Sequence, residues 1–266
     1  MRCVIVSYES CIIRVSTDAV SGFSESACRA ASGALSGFNL QAAGKVMGII
    51  MKNILTFLEE NAIKYKDKTA FVDLNDSVTY AELLERAQSI GSALSKTGTK
   101  NKPIAVYFDK CVNTISAMLG VVYSGNFYVV IDSEMPPARI NKIFGALSPV
   151  AVITDKKHHE NALQLEFSGE IFDLEEALSC EINSEKLAQI RSRQIDTDPL
   201  YALFTSGSTG VPKGAVVSHK SVMAYSEWVS NTFDITSETV FANQTPFYFS
   251  NNSTSNPTIP TIFKIY

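Results

Sequence analysis

The residues best suited to chemistry stand together between Thr205 and Gly214, which read Thr-Ser-Gly-Ser-Thr-Gly-Val-Pro-Lys-Gly. Thr205, Ser206, Ser208 and Thr209 supply hydroxyls, and Lys213 supplies a cation. Gly207, Gly210 and Gly214 let the backbone approach a ligand closely and turn its N–H groups toward it. A concave run of such amides is a seat for anions. Neutral hydroxyl donors, backbone donors and one lysine in a single loop suit a polyphosphate. The spacing is not that of a Walker A loop, where Gly precedes the Lys and Ser or Thr follows it; Pro212 and Gly214 hold those places. The dinucleotide Gly-x-Gly-x-x-Gly spacing is missing too. A flexible Gly/Ser linker is the bland alternative. Against it stand the flanks: Leu200 to Phe204 predicts a buried strand, Ala215 to Val217 predicts a second, and Ser218 is placed to cap a helix from His219.

At these residues the chain resembles the AMP-forming adenylate synthetases, whose signature loop reads Thr-Ser-Gly-Ser-Thr-Gly-x-Pro-Lys-Gly. Thr205 to Gly214 matches it at every fixed position. The resemblance implies ATP with Mg²⁺, and a carboxylic acid converted to an acyl-adenylate with release of pyrophosphate. It also implies that the loop embraces the β- and γ-phosphates. Thr205, Ser206, Gly207, Ser208, Thr209, Gly210 and Lys213 are then the nucleotide-binding candidates.

The elements that must position this loop are legible upstream. Ile54, Leu55, Phe57, Leu58 and Ile63 recur at helical spacing. Thr69 to Val72 reads as a strand, and Thr79-Tyr-Ala-Glu82 is a capping box opening a helix to about Ser95. Its inner face carries Leu83, Leu84, Ala87, Ile90 and Leu94. Pro103 to Phe108, Phe127 to Ile131 and Val150 to Thr154 read as buried strands. Between them lie a helix from about Lys110, stopped near Gly125, and one opened by Pro136 and Pro137. Lys156-Lys157-His158-His159-Glu160 reads as a polar surface turn rather than a metal site. Residues 161–198 are mixed and polar, with a short strand at Ile171-Phe172, an acidic helix start at Asp173 and an exposed helix near Ser184 to Arg193. Alternation of strands and helices predicts an α/β fold with a parallel-rich sheet layered with helices. The segments Val78 to Leu83 and Leu119 to Ile140 resemble the first and second core motifs of the same family, implying the N-terminal part of its large domain.

Beyond the loop, a helix from His219 to about Asn231 carries Trp228, the one tryptophan, expected as a packed core aromatic. His219 is open to either a structural role or a ligand contact. Val240 to Gln244 predicts a strand leading to Thr245-Pro246-Phe247-Tyr248-Phe249. This run most resembles the amino-acid-activating branch, which holds D-alanine–carrier-protein ligases and nonribosomal peptide synthetase adenylation domains. There the next residue is an Asp that pairs with the substrate ammonium; here it is Ser250, and no Asp or Glu occurs after Glu238. The branch implies an amino acid or other carboxylic acid as substrate and the phosphopantetheine thiol of a carrier protein as acceptor.

The chain has 266 residues, a formal charge of −4 and 45% apolar content, ordinary values for a globular chain. No basic stripe suggests a nucleic-acid partner, and no apolar run reaches a membrane span of about 20 residues. Five scattered cysteines, an odd number without metal-ligand spacing, suit reduced thiols and a cytoplasmic setting. Residues 1–50 form a poorly patterned extension, with clean patterning starting at Met47 or Met51. Residues 51–249 read as a partial AMP-binding (adenylation) domain and 250–266 as an aberrant tail. The expectation is a truncated and inactive adenylating enzyme. An acyl- or aryl-coenzyme A ligase fragment and a non-catalytic nucleotide-binding fragment remain as alternatives.

Overall fold

Two strands without an exposed side chain form the centre: Pro103–Tyr107 and Phe127–Ile131 are buried along their full length. The computed structural model describes residues 3–6, 53–205, 212–243 and 246–248. The chain divides into two units, Met1–Ile5 with Met51–Tyr266 and Val6–Ile50; the second, Val6 aside, lies outside the described residues.

In chain order the strands are β1 (Cys3–Val6), β2 (Thr69–Val72), β3 (Ser77–Thr79), β4 (Pro103–Tyr107), β5 (Phe127–Ile131), β6 (Ala151–Thr154), β7 (Glu170–Asp173), β8 (Pro199–Thr205), β9 (Lys213–Ser218) and β10 (Val240–Asn243). The helices are α1 (Ile54–Lys64), α2 (Tyr80–Leu94), α3 (Val112–Tyr123), α4 (Pro137–Leu147), α5 (His159–Leu163), α6 (Leu174–Leu178), α7 (Ser184–Arg191) and α8 (His219–Thr232). Among the described residues six strands form one sheet in the order β7-β6-β4-β5-β8-β9, while β2 pairs with β3 and β1 with β10. Within the six-stranded sheet every neighbouring pair from β7 to β8 is parallel; only β9 runs antiparallel, against β8.

Parallel strands covered on both faces should be apolar at every position rather than at alternate ones, and β4 and β5 are. Ile104, Val106, Tyr128 and Val130 point into one core, shared with Leu83, Ile90, Met118 and Leu119 of α2 and α3. Ala105, Tyr107, Val129 and Ile131 point into the other, shared with Ile140, Ile143 and Phe144 of α4. The chain steps from β4 to β5 in one direction and from β5 back past β4 to β6 in the other. A single hand of crossover therefore sends α3 and α4 to opposite faces.

The local signals act as their chemistry requires. Thr79 Oγ1 accepts from the Glu82 N–H at 3.3 Å, and Glu82 Oε2 accepts from the Thr79 N–H at 2.8 Å, closing the capping box. Gly125 follows α3 with φ of 84°, a left-handed conformation that stops the helix. The helix expected from Lys110 begins instead at Val112. Two expected core residues are exposed: Ile63 at 84%, at the end of α1, and Trp228 at 51%.

Candidate functional site

All five parallel strands end on one edge of the sheet, so the loops after β4, β5, β6, β7 and β8 open on the same side. That edge is where an open α/β sheet takes its ligands, above all where successive crossovers part to opposite faces. Here they part between β4 and β5.

The loop singled out by its glycines and hydroxyls begins where β8 reaches this edge. In the β8–β9 ladder Thr205 stands opposite Lys213, so residues 206–212 bridge a closed pair. Lys213, the first residue of β9, is exposed at the mouth of that loop. Thr205 is the last residue of β8. Ser206, Gly207, Ser208, Thr209 and Gly210 lie outside the described residues, as does Ser250. Gly214 has a visible reason to be glycine: a Cβ there would stand 2.9 Å from Cζ of the Phe204 ring.

The base of the hairpin is pinned by Asp198, which is buried. Its Oδ1 accepts from Asn101 Nδ2 at 2.8 Å and its Oδ2 from the Ile195 N–H at 2.9 Å. Lys100 Nζ lies 3.4 Å from the same carboxylate. The Asp198 carbonyl accepts from the His219 N–H at 3.2 Å, fastening the start of α8 to the turn that enters β8. Ser218 caps α8, its Oγ accepting from the Ser221 N–H. His219 itself is buried, its Nδ1 without a hydrogen-bond partner among the described residues, and burial lowers its pKa to about 4.

Further along the edge, Asp109 ties three loops together. Ser133 Oγ, after β5, donates to Asp109 Oδ1 at 2.6 Å, and Lys157 Nζ, after β6, to Oδ2 at 2.5 Å. His158 is buried rather than on a surface turn. Its Nδ1 lies 2.6 Å from Asp155 Oδ1 and its Nε2 3.3 Å from Asp109 Oδ1. The Lys157 hydrogen bond, then that of Ser133, holds the Asp109 carboxyl below its ordinary range. Sequence reasoning did not single out Asp109; its one signal was position, just past the end of a fully buried strand.

Between the loops after β4 and β5 lies a cavity of about 210 Å³, walled by Asp109, Lys110, Asp132, Ser133, Phe247 and Tyr248 among others. Ligand clefts usually reach about 300–1,000 Å³, so this one is too small to enclose a nucleotide. Among the described residues no group of three or more His, Cys, Asp or Glu could hold a metal ion. No helix among them is long and apolar enough to cross a membrane.

Comparison with known proteins points the same way as the loop. The family model for AMP-binding enzymes matches residues 58–262. Tyrocidine synthase 1 of Brevibacillus parabrevis is 30% identical over 188 residues, 70% of this chain and 17% of the synthase. The D-alanine–D-alanyl carrier protein ligase of Listeria welshimeri is 29% identical over 211 residues, 74% of this chain and 39% of the ligase. The chain therefore spans well under half the length of these relatives. Among solved structures, the nonribosomal peptide synthetase FmoA3 bound to alpha-methyl-L-serine-AMP superposes with a TM-score of 0.65 at 20% identity. The match covers 76% of this chain and 22% of that one, and at such identity it speaks for the fold.

Proposed function

Because the chain belongs to the AMP-binding enzyme family, we propose that it carries the phosphate-gripping part of an enzyme that activates an amino acid with ATP. The reaction joins a carboxylate oxygen to the α-phosphorus and releases pyrophosphate. The observation that carries this reading is the hairpin register, Thr205 opposite Lys213, which opens the glycine- and hydroxyl-rich loop at the carboxyl edge. In this reading the amides and hydroxyls of residues 205–210 and the Lys213 ammonium hold the outer phosphates. They stabilise the charge that gathers on the departing pyrophosphate. No general base is required, since a carboxylic acid is already ionised near neutral pH. Mg²⁺ in such sites is held largely by substrate phosphates, with one or two carboxylates at most.

One named relative supports an amino acid as the acid and a carrier protein as the acceptor: the ligase whose name carries both D-alanine and its carrier. We place this work in the cytoplasm, in keeping with Cys111 and Cys180, which are free thiols. The test is ATP–pyrophosphate exchange with a panel of D- and L-amino acids, fatty acids and aryl acids. We expect exchange with an amino acid when the chain is carried to the length of the D-alanine ligases, and none from the 266 residues alone. Exchange with fatty or aryl acids only would overturn the amino-acid reading. Exchange by the 266 residues alone would overturn that expectation.

A further inference from the structure

A second cleft, of about 350 Å³, shares no lining residue with the cavity at the carboxyl edge. The turn after β2, the middle of α2, the first turn of α3 and the end of α6 enclose it, through Asp76, Glu85, Arg86, Ser89, Asn113 and Leu178. Its volume falls in the usual range of small-molecule sites, ~300–1,000 Å³. Its polar groups are held in place but keep bonding capacity to spare. Arg86 Nη1 donates to Asp76 Oδ2 at 2.7 Å and to Asn113 Oδ1 at 2.9 Å, so the hairpin turn and α3 fix the guanidinium between them. The N–H groups on Nε and Nη2 meet no acceptor among the described residues. Ser89 is 6% exposed, yet its hydroxyl has no partner among the described residues, whereas Ser92 on the same helix donates to the Gln88 carbonyl at 2.8 Å. Glu85 is exposed, one helical turn before Ser89, and pairs with no cation among the described residues.

We propose that this cleft binds a free α-amino acid, its carboxylate on the Nε–Nη2 edge of Arg86 and its ammonium on Glu85. A guanidinium edge and a carboxylate match in a bidentate pair of charged hydrogen bonds. Two carboxylates, Asp76 and Glu85, stand here against one guanidinium, so a simple anion meets net repulsion. A simple cation answers Glu85 and leaves the Arg86 edge unmet. A zwitterion adds no net charge and satisfies both, with the Ser89 hydroxyl as a further partner and Leu178 as an apolar wall. None of these residues belongs to the phosphate-binding hairpin, and neither site needs the other.

The experiment is calorimetric titration of the 266-residue chain with alanine, leucine and glutamine, and with the N-acetyl and amide derivatives of each. At least one of the free amino acids should bind. Its N-acetyl form, which lacks the cation, and its amide, which lacks the carboxylate, should each bind about tenfold more weakly or worse, the worth of one charged hydrogen bond. Glu85→Gln should weaken the free amino acid by about the same factor and leave the melting temperature unchanged, since that side chain is exposed. Arg86→Lys, which keeps the charge and loses the bidentate edge, should weaken it too. No binding by any of the free amino acids would overturn the proposal. So would equal binding of the derivatives, or an affinity unchanged in either variant. The assay uses neither ATP nor pyrophosphate, so its failure is separable from failure of the exchange reaction.

Discussion

Three backbone N–H groups converge on the Asp73 carboxylate: those of Asn75 and Asp76 on Oδ1, at 2.7 and 2.9 Å, and that of Val112 on Oδ2, at 2.7 Å. Asp73 so serves the first turn of α3 from outside that helix. The Asn75 bond, then that of Val112, lowers its pKa below the ordinary 3.8. Its stabilisation is thus present above about pH 4 and lost as pH falls through the lowered folded value. Asp73→Ala should cost about 1–2 kcal/mol at neutral pH, the usual worth of a helix cap, and the gap should close in strong acid. His219 works with the opposite sign. Burial holds it neutral down to about pH 4, so the folded state resists a proton that the unfolded chain takes up near pH ~6.5. Between those values wild type should lose stability that a His219→Gln variant retains, on the order of 3 kcal/mol. Melting curves from about pH 2 to about pH 8 check both, since that range spans the two titrations. At this scale the sequence was a fair guide to caps and a poor one to burial. Thr79, Glu82 and Ser218 act locally, within three residues of their partners. The burial of His158 and the exposure of Ile63 depend on what lies across from them, and no local pattern carries that.

Among elements, the tightest joint is α2 against α3. A Cβ on Gly120 would stand 2.4 Å from Ile90 Cγ2, and one on Gly91 2.5 Å from Tyr123 Cβ. Each helix gives up a side chain where the other comes closest. In an isolated helix Gly→Ala is worth about 1 kcal/mol of stabilisation; here the added methyl has nowhere to go. Gly120→Ala should therefore destabilise by roughly 1–3 kcal/mol, as overpacking does, and urea denaturation of wild type and variant decides the sign. The strands and helices around this joint were legible because β4, β5 and β6 are unbroken apolar runs with turn signals between them. The β2–β3 hairpin was less so. Its two strands are four and three residues long, and the Asp73 contacts that shape its turn reach to a residue 39 positions away. Strand order was out of reach of pattern altogether, since β8 lies beside β5 through pairing of Tyr128 with Tyr201, far apart along the chain.

At the scale of the molecule, the sheet gathers its chemistry on one edge and leaves aromatic surface on α8. Tyr225, Trp228 and Phe233 form a chain of ring contacts at 5.7 and 6.3 Å, with Trp228 half exposed. As the only tryptophan, it should report directly: acrylamide should quench most of the emission from the folded chain. Emission that resists quenching until urea unfolds the protein would restore the core placement read from helical spacing. The candidate loop was recognisable from residue types alone, because glycine, hydroxyl and lysine in that order have few other uses. Its flanking strands and the Ser218 cap were legible too; the pairing of Thr205 with Lys213 and the Asp198 anchor beneath were not, for they come from the fold. The central claim, that this hairpin grips the tail of ATP, is tested most directly by calorimetric titration of ATP into wild type and Lys213→Ala. A loss of about tenfold or more in affinity, the worth of one charged hydrogen bond to phosphate, is the predicted result; equal affinity for the two proteins would contradict it.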